Sequence, residues 1–154
     1  MDTIFRYFWL FALAITGVNA FIYRQRIQAL SAEHPERAEG YRRFLTGFVA
    51  VSALVWLVMG IGIMFGGVPT IFSYFSPATG NLFVWAWHAT IVAVWIAGIV
   101  WLFFRGGAQF IIDHPGLANS TPTKPIQVQL WYLICLAGGI AGEVMMWSGF
   151  FPSL

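Results

Sequence analysis

Four long apolar stretches dominate this sequence, and they restrict the chain to an all-helical membrane fold. The stretches cover residues 5–23, 44–65, 82–104 and about 126–150. Each is close to the ~20 residues that a helix needs to cross the hydrocarbon core of a bilayer. Because a backbone in hydrocarbon has to satisfy its own hydrogen bonds, the stretches are predicted to be helices. We therefore expect an integral membrane bundle of four transmembrane helices, folded as a single domain over residues 1–154.

The composition also favours a membrane location. Hydrophobic residues make up 59% of the 154 residues and charged residues only 9%, and the mean hydropathy is +0.75. So few polar side chains cannot cover a soluble globule of this size. Most of the protein surface is therefore expected to face lipid, or other subunits of a membrane complex.

The basic residues predict the orientation of the helices. Seven of the eight Lys and Arg residues lie in residues 24–43 and 105–125, and only Arg6 lies at the opposite end of the helices. By the positive-inside rule, these two segments face the cytoplasm and both termini are non-cytoplasmic. The expected location is the cell (inner) membrane. Nucleic acid is not an expected partner, because the basic residues flank membrane helices and do not form one exposed basic face.

The two kinds of connecting segment differ in character. Residues 67–81 carry no charge, yet they contain a run of large apolar side chains: Ile71, Phe72, Tyr74 and Phe75. Such a patch is costly in water, so we expect this segment to be ordered against the membrane or against protein. The first basic segment is charged, and from Pro35 it is compatible with a helix that runs into the second stretch.

One short motif occurs twice. Glu33-His34-Pro35 and Asp113-His114-Pro115 lie 80 residues apart, at corresponding places in the two basic segments. The fold could therefore consist of two tandem helical hairpins related by duplication. Turn chemistry gives an alternative explanation, because proline favours an extended residue before it and is well suited to the start of a helix.

Inside the membrane, His88 and Glu143 are the two residues that we expect to be able to ionise near pH 7, whereas Arg6 lies near the outer end of its helix. His88 lies about 9 Å from the outer end of its helix and Glu143 about 10 Å from the outer end of the last helix, at 1.5 Å per residue. Ionisable groups inside a membrane are costly and often mark functional sites. We expect a buried polar pair between His88 and Glu143, with Arg6 as a competing partner for the carboxylate.

This pair has three interpretations: a structural hydrogen bond or ion pair, a ligand or cofactor contact, and proton transfer. A haem held by two helix histidines needs two of them in the membrane, and this chain supplies one. His88 is therefore a candidate ligand for a singly ligated haem, for a pigment magnesium, or for a haem shared by a symmetric dimer, and the cofactor is otherwise unknown. Met145 and Met146 could bind Cu(I), but methionines in an apolar helix more often serve packing alone, so no metal site is predicted.

No catalytic residue can be assigned from the sequence. It contains no phosphate-cradling loop, metalloprotease motif, CxxC pair or nucleophile elbow. Cys135 is the single cysteine, which excludes an internal disulfide. Gly138 and Gly142, like Gly62 and Gly66, form small-xxx-small steps that permit close contact between helices.

Three classes of function remain open. The first is a small accessory subunit of a larger membrane complex, of an electron-transfer or photosynthetic kind. The second is a homo-oligomeric transporter or channel that uses the layer of His88 and Glu143. The third is a membrane-embedded enzyme that acts on lipid-soluble substrates.

The third class is suggested by a likeness in topology. Four helices, outward termini and an Arg-rich first inner segment resemble the membrane-associated eicosanoid and glutathione transferases. The second helix of that family carries polar residues for its thiol substrate. Residues 44–65 of this chain offer only Thr46 and Ser52, so the resemblance does not extend to the site.

Overall fold

The computed structural model describes residues 2–117 and 121–150, which form helices and turns without any strand. The all-helical prediction is confirmed for this part of the chain. The helices are α1 (Asp2–Arg6), α2 (Phe8–Glu33), α3 (Ala38–Phe65), α4 (Leu82–Ile99), α5 (Gly107–Asp113) and α6 (Pro125–Trp147).

Among the described residues, three helical segments are long and apolar enough to cross a membrane: Pro35–Phe65, Leu82–Phe104 and Pro125–Trp147. They correspond to the second, third and fourth predicted stretches. Helix α2 covers residues 8–23 of the first predicted stretch and continues to Glu33, but it is not among the three. Phe5 and Arg6 belong to α1, so the helix predicted to begin at residue 5 is interrupted at Tyr7. The structure thus supports a membrane protein with three candidate spanning helices.

Proline sets the end of α2 and the start of α3. His34, which precedes Pro35, takes φ −132° and ψ 71° and closes α2. Residues Pro35–Arg37 form a 3₁₀ turn that leads directly into α3. The predicted helical continuation from Pro35 is therefore present, whereas the extension of α2 to Glu33 was not predicted.

The duplicated tripeptide has a local explanation. His114 before Pro115 takes φ −118° and ψ 74°, close to the values of His34. Ser76 before Pro77 takes φ −130° and ψ 68°, although it belongs to neither tripeptide. Since three residues that precede prolines share one conformation, turn chemistry accounts for the likeness of the two tripeptides without a duplication.

The uncharged segment between α3 and α4 folds onto the chain's own helices. It forms 3₁₀ turns over Ile71–Phe75 and Pro77–Thr79. Asn81 caps α4 by accepting a hydrogen bond from Phe83 N at 2.8 Å, and its amide donates to Gly66 O at 3.0 Å. The buried residues of α3, this segment and α4 form one core cluster: Met59, Ile63, Val68, Ile71, Tyr74, Val84 and Trp87. The expected order of this segment is thus provided by protein contacts.

At the opposite end of the helices, the two basic segments pack together. The Tyr41 side chain is fully buried, and its hydroxyl donates to Pro115 O at 2.9 Å. The His114 ring packs edge-on against Tyr41 at 5.2 Å and stacks on Phe110 at 4.0 Å. Gly40 has no side chain, and the His114 imidazole occupies the space where a Cβ atom of residue 40 would lie. Residues 105–125, predicted as a connecting segment, therefore contain an ordered helix, α5.

Helix α6 is attached to α4 through a few large side chains. The Tyr132 hydroxyl donates to Trp95 O at 2.7 Å. A π-helical turn at Val100–Phe104 extends α4, and its Leu102 carbonyl accepts a hydrogen bond from Gln129 at 3.2 Å. Of the most apolar 18 residues of α6, only 6% are buried, against 22% of those in Pro35–Phe65. Most of the α6 surface is therefore left for lipid or for another protein.

Candidate functional site

The structure brings His88 and Glu143 into direct contact. His88 Nδ1 lies 2.6 Å from Glu143 Oε2. The two residues are 3% and 9% exposed, so water is largely excluded from their hydrogen bond. His88 is held on α4 two turns beyond the Asn81 cap, and Glu143 lies on the inward stripe of α6.

A third group fixes the orientation of the imidazole. His88 Nε2 lies 2.9 Å from the backbone carbonyl of Tyr74. A carbonyl oxygen can only accept a hydrogen bond, so Nε2 carries a hydrogen and donates it. One His side chain thus connects α4, α6 and the 3₁₀ turn over Ile71–Phe75.

The remaining proton is shared between His88 Nδ1 and Glu143 Oε2. It can reside on nitrogen, which gives an imidazolium and a carboxylate, or on oxygen, which gives a neutral imidazole and a carboxylic acid. Both arrangements have a net charge of zero. The pair therefore brings no net charge into the membrane, whichever of the two atoms holds the proton. This neutrality lowers the free-energy cost of burying the pair.

Aromatic rings surround the pair. The Trp87 and Trp147 rings lie 5.0 and 5.4 Å from the His88 ring, and Tyr74 lies 5.2 Å from Trp87. Trp147 is one turn beyond Glu143 on the same face of α6, so it covers the imidazole from that side. In apolar surroundings of this kind a hydrogen bond is electrostatically stronger than in water.

Two buried polar atoms of the site have no hydrogen-bond partner among the described residues: Glu143 Oε1 and Trp87 Nε1. Leaving such an atom unpaired costs about 1–3 kcal/mol. The Glu143 carboxyl group is therefore anchored through one oxygen only, and its position depends on the bond to His88.

Arg6 does not take part in this site. Its side chain is exposed at the end of α1, and within the described ranges the ion-pair partner of Glu143 is His88. The alternative pairing of Arg6 with the carboxylate is therefore not what the structure shows. Arg6 is the last residue of the short helix α1, which Tyr7 separates from α2.

Neither ring nitrogen of His88 is free to bind a cofactor. Both ring nitrogens of His88 are engaged in hydrogen bonds, so axial ligation of haem or of a pigment magnesium would require one of them to break. Residues 2–117 and 121–150 contain no cluster of three or more metal-binding His, Cys, Asp or Glu side chains. The Met146 side chain packs against the core cluster formed by α3, α4 and the segment between them.

The contribution of Tyr74 was not predicted from the sequence. Its carbonyl orients His88, and its hydroxyl donates to Met59 O at 2.8 Å. Gly62 leaves room for that hydroxyl on α3. Every residue carries a backbone carbonyl, so no sequence signal marks this one. The high aromatic content of the uncharged segment was the only indication that its residues pack inward.

Tyr74 provides a test at high pH. Its burial raises the pKa of the phenol to about 12 from its ordinary value of 10.0. A pKa raised in the folded state means that the neutral phenol stabilises the fold; this contribution is complete below pH 10 and is lost as the pH rises towards 12. We expect the phenolate absorbance of the native protein to contain a late component that is missing in Tyr74→Phe. If the component lost in Tyr74→Phe titrated at the ordinary pKa of 10.0, that result would contradict the burial of this hydroxyl.

The arrangement can hold α4, α6 and the 3₁₀ turn over Ile71–Phe75 together through buried hydrogen bonds. No protein-family model, curated protein or solved structure matches this chain. A function has therefore to be inferred from the chemistry of this site and from the exposed helix surfaces.

Proposed function

We propose that the chain is a small multipass subunit of a larger membrane assembly, and that α6 contacts a neighbouring membrane protein. The observation that carries this proposal is an open flank on α6, formed by Cys135, Gly138 and Gly142. These residues are spaced three and four positions apart, so they lie along one side of the helix.

The flank contrasts with the side of α6 that packs within the chain. A Cβ atom added at Gly138 or Gly142 would meet no atom of the described residues within 4 Å, whereas one added at the adjacent Gly139 would overlap the Trp95 ring. Cys135 is exposed as well. Small residues permit close approach of a second helix in a membrane, where packing drives association. The flank therefore has the shape expected of a helix contact.

The proposal includes α2 as a fourth spanning helix. Helix α2 packs along α3, with ring contacts between Phe8 and Trp56 at 6.2 Å and between Tyr23 and Phe48 at 5.3 Å. These contacts extend over most of the apolar part of α2. A helix that accompanies a spanning neighbour over this length crosses the membrane with it. Both termini then lie on one side, and residues 24–43 and 105–125 lie together on the other.

In this proposal the contact between His88 and Glu143 is structural. It fastens α6 to α4 near their outer ends, while Tyr132 and Gln129 attach α6 further along. Such fixation would keep the open flank in one orientation for a partner. Polar pairs between membrane helices serve this purpose in other bundles.

Reporter fusions test the orientation. Fusions within residues 24–43 and 105–125 are expected to be active with a cytoplasmic reporter, because seven of the eight basic residues are there. Fusions after residue 150 should be active only with a reporter that works outside the cytoplasm. A periplasmic reporter that is active within residues 24–43 would show that α2 does not cross the membrane.

Purification in a mild detergent tests the subunit role. We expect other polypeptides to co-migrate with the 17.2 kDa chain, and absorbance from haem or pigment in the complex would indicate an electron-transfer or photosynthetic assembly. A native mass that is a multiple of the chain alone would instead favour the homo-oligomeric transporter. A chain that is monomeric in the mildest detergents and in native membranes would contradict both.

A further inference from the structure

A groove of about 330 Å³ lies between α2 and α3, away from the His88 site. Its volume is at the lower end of the range found for small-molecule sites, about 300–1,000 Å³. Aromatic rings, among them Phe8, Phe11 and Trp56, form part of its wall. The groove opens between two helices that would both lie in the membrane, so the molecules that could reach it are lipid-soluble.

Two polar side chains in the groove have no hydrogen-bond partner within residues 2–117 and 121–150. Asn19 on α2 and Ser52 on α3 both line it, and neither side chain forms a hydrogen bond with any residue that the structure describes. The third polar residue of the lining, Thr16, already donates to its own helix at Ala12 O, 2.9 Å away. Free hydrogen-bonding capacity in the groove therefore comes from one amide and one hydroxyl.

These two side chains lie at the same level. The contact between the Tyr23 and Phe48 rings sets the register of the antiparallel helices. Asn19 is four residues before Tyr23, and Ser52 is four residues after Phe48. Both steps lead in the same direction along the bundle, so the amide and the hydroxyl face the groove from opposite walls at one depth.

An amide without a partner is unfavourable in hydrocarbon. A second helix is the weaker candidate, because helix contacts in membranes favour small residues and the lining includes the large rings of Phe8, Phe11 and Trp56. A small molecule fits the volume and the lining better. Amide N–H and hydroxyl O–H groups both donate hydrogen bonds, which matches a carbonyl oxygen on the ligand.

We propose that the groove between α2 and α3 binds a lipid-soluble molecule that carries a carbonyl oxygen on a flat ring. Asn19 and Ser52 donate hydrogen bonds to the carbonyl, and the ring packs against Trp56 and Phe8. A hydrocarbon tail would leave through the open side of the groove into lipid. The inference rests on the proposed membrane position of α2, but it does not require a partner subunit.

The test uses the full chain in phosphatidylcholine vesicles, with a decyl-substituted 1,4-benzoquinone as the probe. Decylbenzene, which has the same tail and a ring without a carbonyl, is the matched control ligand. Quinones quench nearby tryptophans, so binding is followed through the part of the quenching that Trp56→Phe removes. We expect the quenching by the quinone to be saturable. Decylbenzene should displace the quinone only at concentrations at least about tenfold higher than that of the quinone, because it cannot accept the two hydrogen bonds.

The variant that removes the two donors is Asn19→Leu combined with Ser52→Ala. Since neither side chain has a partner in the described structure, the fold should be unchanged. The quinone affinity should fall by about tenfold or more. Thr90→Val is the matched control, because the Thr90 hydroxyl lies on α4 and donates to Ala86 O; its affinity should equal that of the unmodified chain.

The proposal would be overturned if decylbenzene and the quinone bound with equal affinity. It would also be overturned if the double variant bound the quinone as tightly as the unmodified chain does. Either result would show a groove that accepts any acyl chain. The subunit proposal is tested separately, through contacts of α6. If the chain binds the quinone but shows no protein contact at Cys135, this inference stands and the subunit proposal fails. If Cys135 contacts a protein but the chain does not bind the quinone, this inference alone is overturned.

Discussion

Replacing Glu143 with leucine is expected to lower the free energy of unfolding by about 2 kcal/mol in detergent micelles. His88 Nδ1 is buried and has Glu143 as its partner, so the leucine would leave a polar atom unpaired in an apolar site. Glu143→Gln should cost less than about 1 kcal/mol, because the Gln amide can donate to the same nitrogen. Unfolding followed by tryptophan fluorescence would measure both effects.

A double-mutant cycle separates the pair from its surroundings. His88→Leu should also be strongly destabilising, because it leaves Glu143 without its hydrogen bond. The combined His88→Leu and Glu143→Leu variant is expected to lose clearly less than the sum of the two single losses, since neither polar group then lacks a partner. Additive losses, or a Gln variant as unstable as the Leu variant, would show that the contact does not hold the helices.

The second prediction concerns two adjacent glycines of α6. Gly139→Ala should destabilise the isolated chain by about 1–3 kcal/mol, because the new methyl group would overlap the Trp95 ring. Gly138→Ala should be neutral or stabilising by up to about 1 kcal/mol, since its methyl group meets no described atom within 4 Å and alanine favours helix. The two variants change the helix in the same way chemically, so each is the control for the other. The opposite order of stability would mean that α6 packs through a different face.

The three helical segments that are long and apolar enough to cross a membrane were predictable from the sequence, because this length and composition follow from bilayer thickness. Depth along a helix was also predictable, since a fixed rise per residue placed His88 and Glu143 in one layer before any contact was known. The residue at which α2 ends was not predictable from the sequence. Residues 24–33 are charged but favour helix, and Ile27 is buried in a cluster with Tyr41 and Leu117, a tertiary contact that a hydropathy pattern cannot indicate.

Two further features depend on tertiary structure alone. The Tyr74 carbonyl orients His88 because the uncharged segment folds inward at Ile71 and Tyr74, and no side-chain pattern specifies which carbonyl will face a neighbour. The groove depends on the register of α2 against α3, which brings Asn19 opposite Ser52. Helix α5 was also missed, because seven residues between a basic end and a proline are too few to show a hydrophobic period.

The central claim is that the open flank of α6 contacts another protein in the membrane, and Cys135 allows it to be measured directly. Cys135 is the single cysteine of the chain and is exposed on this flank. A benzophenone maleimide attached there, in native membranes, reacts on illumination with whatever lies beside the helix. Cys135→Ser combined with Ile61→Cys carries the same label on the exposed surface of α3 and reports random collisions.

The account predicts a discrete cross-linked product heavier than the 17.2 kDa chain, formed from Cys135 but not from position 61. Gly138→Leu should weaken this product strongly while the chain remains folded, because leucine blocks close approach of a second helix. The account is contradicted if Cys135 yields only lipid adducts, or the same products as position 61, in membranes where the chain is present at its natural level.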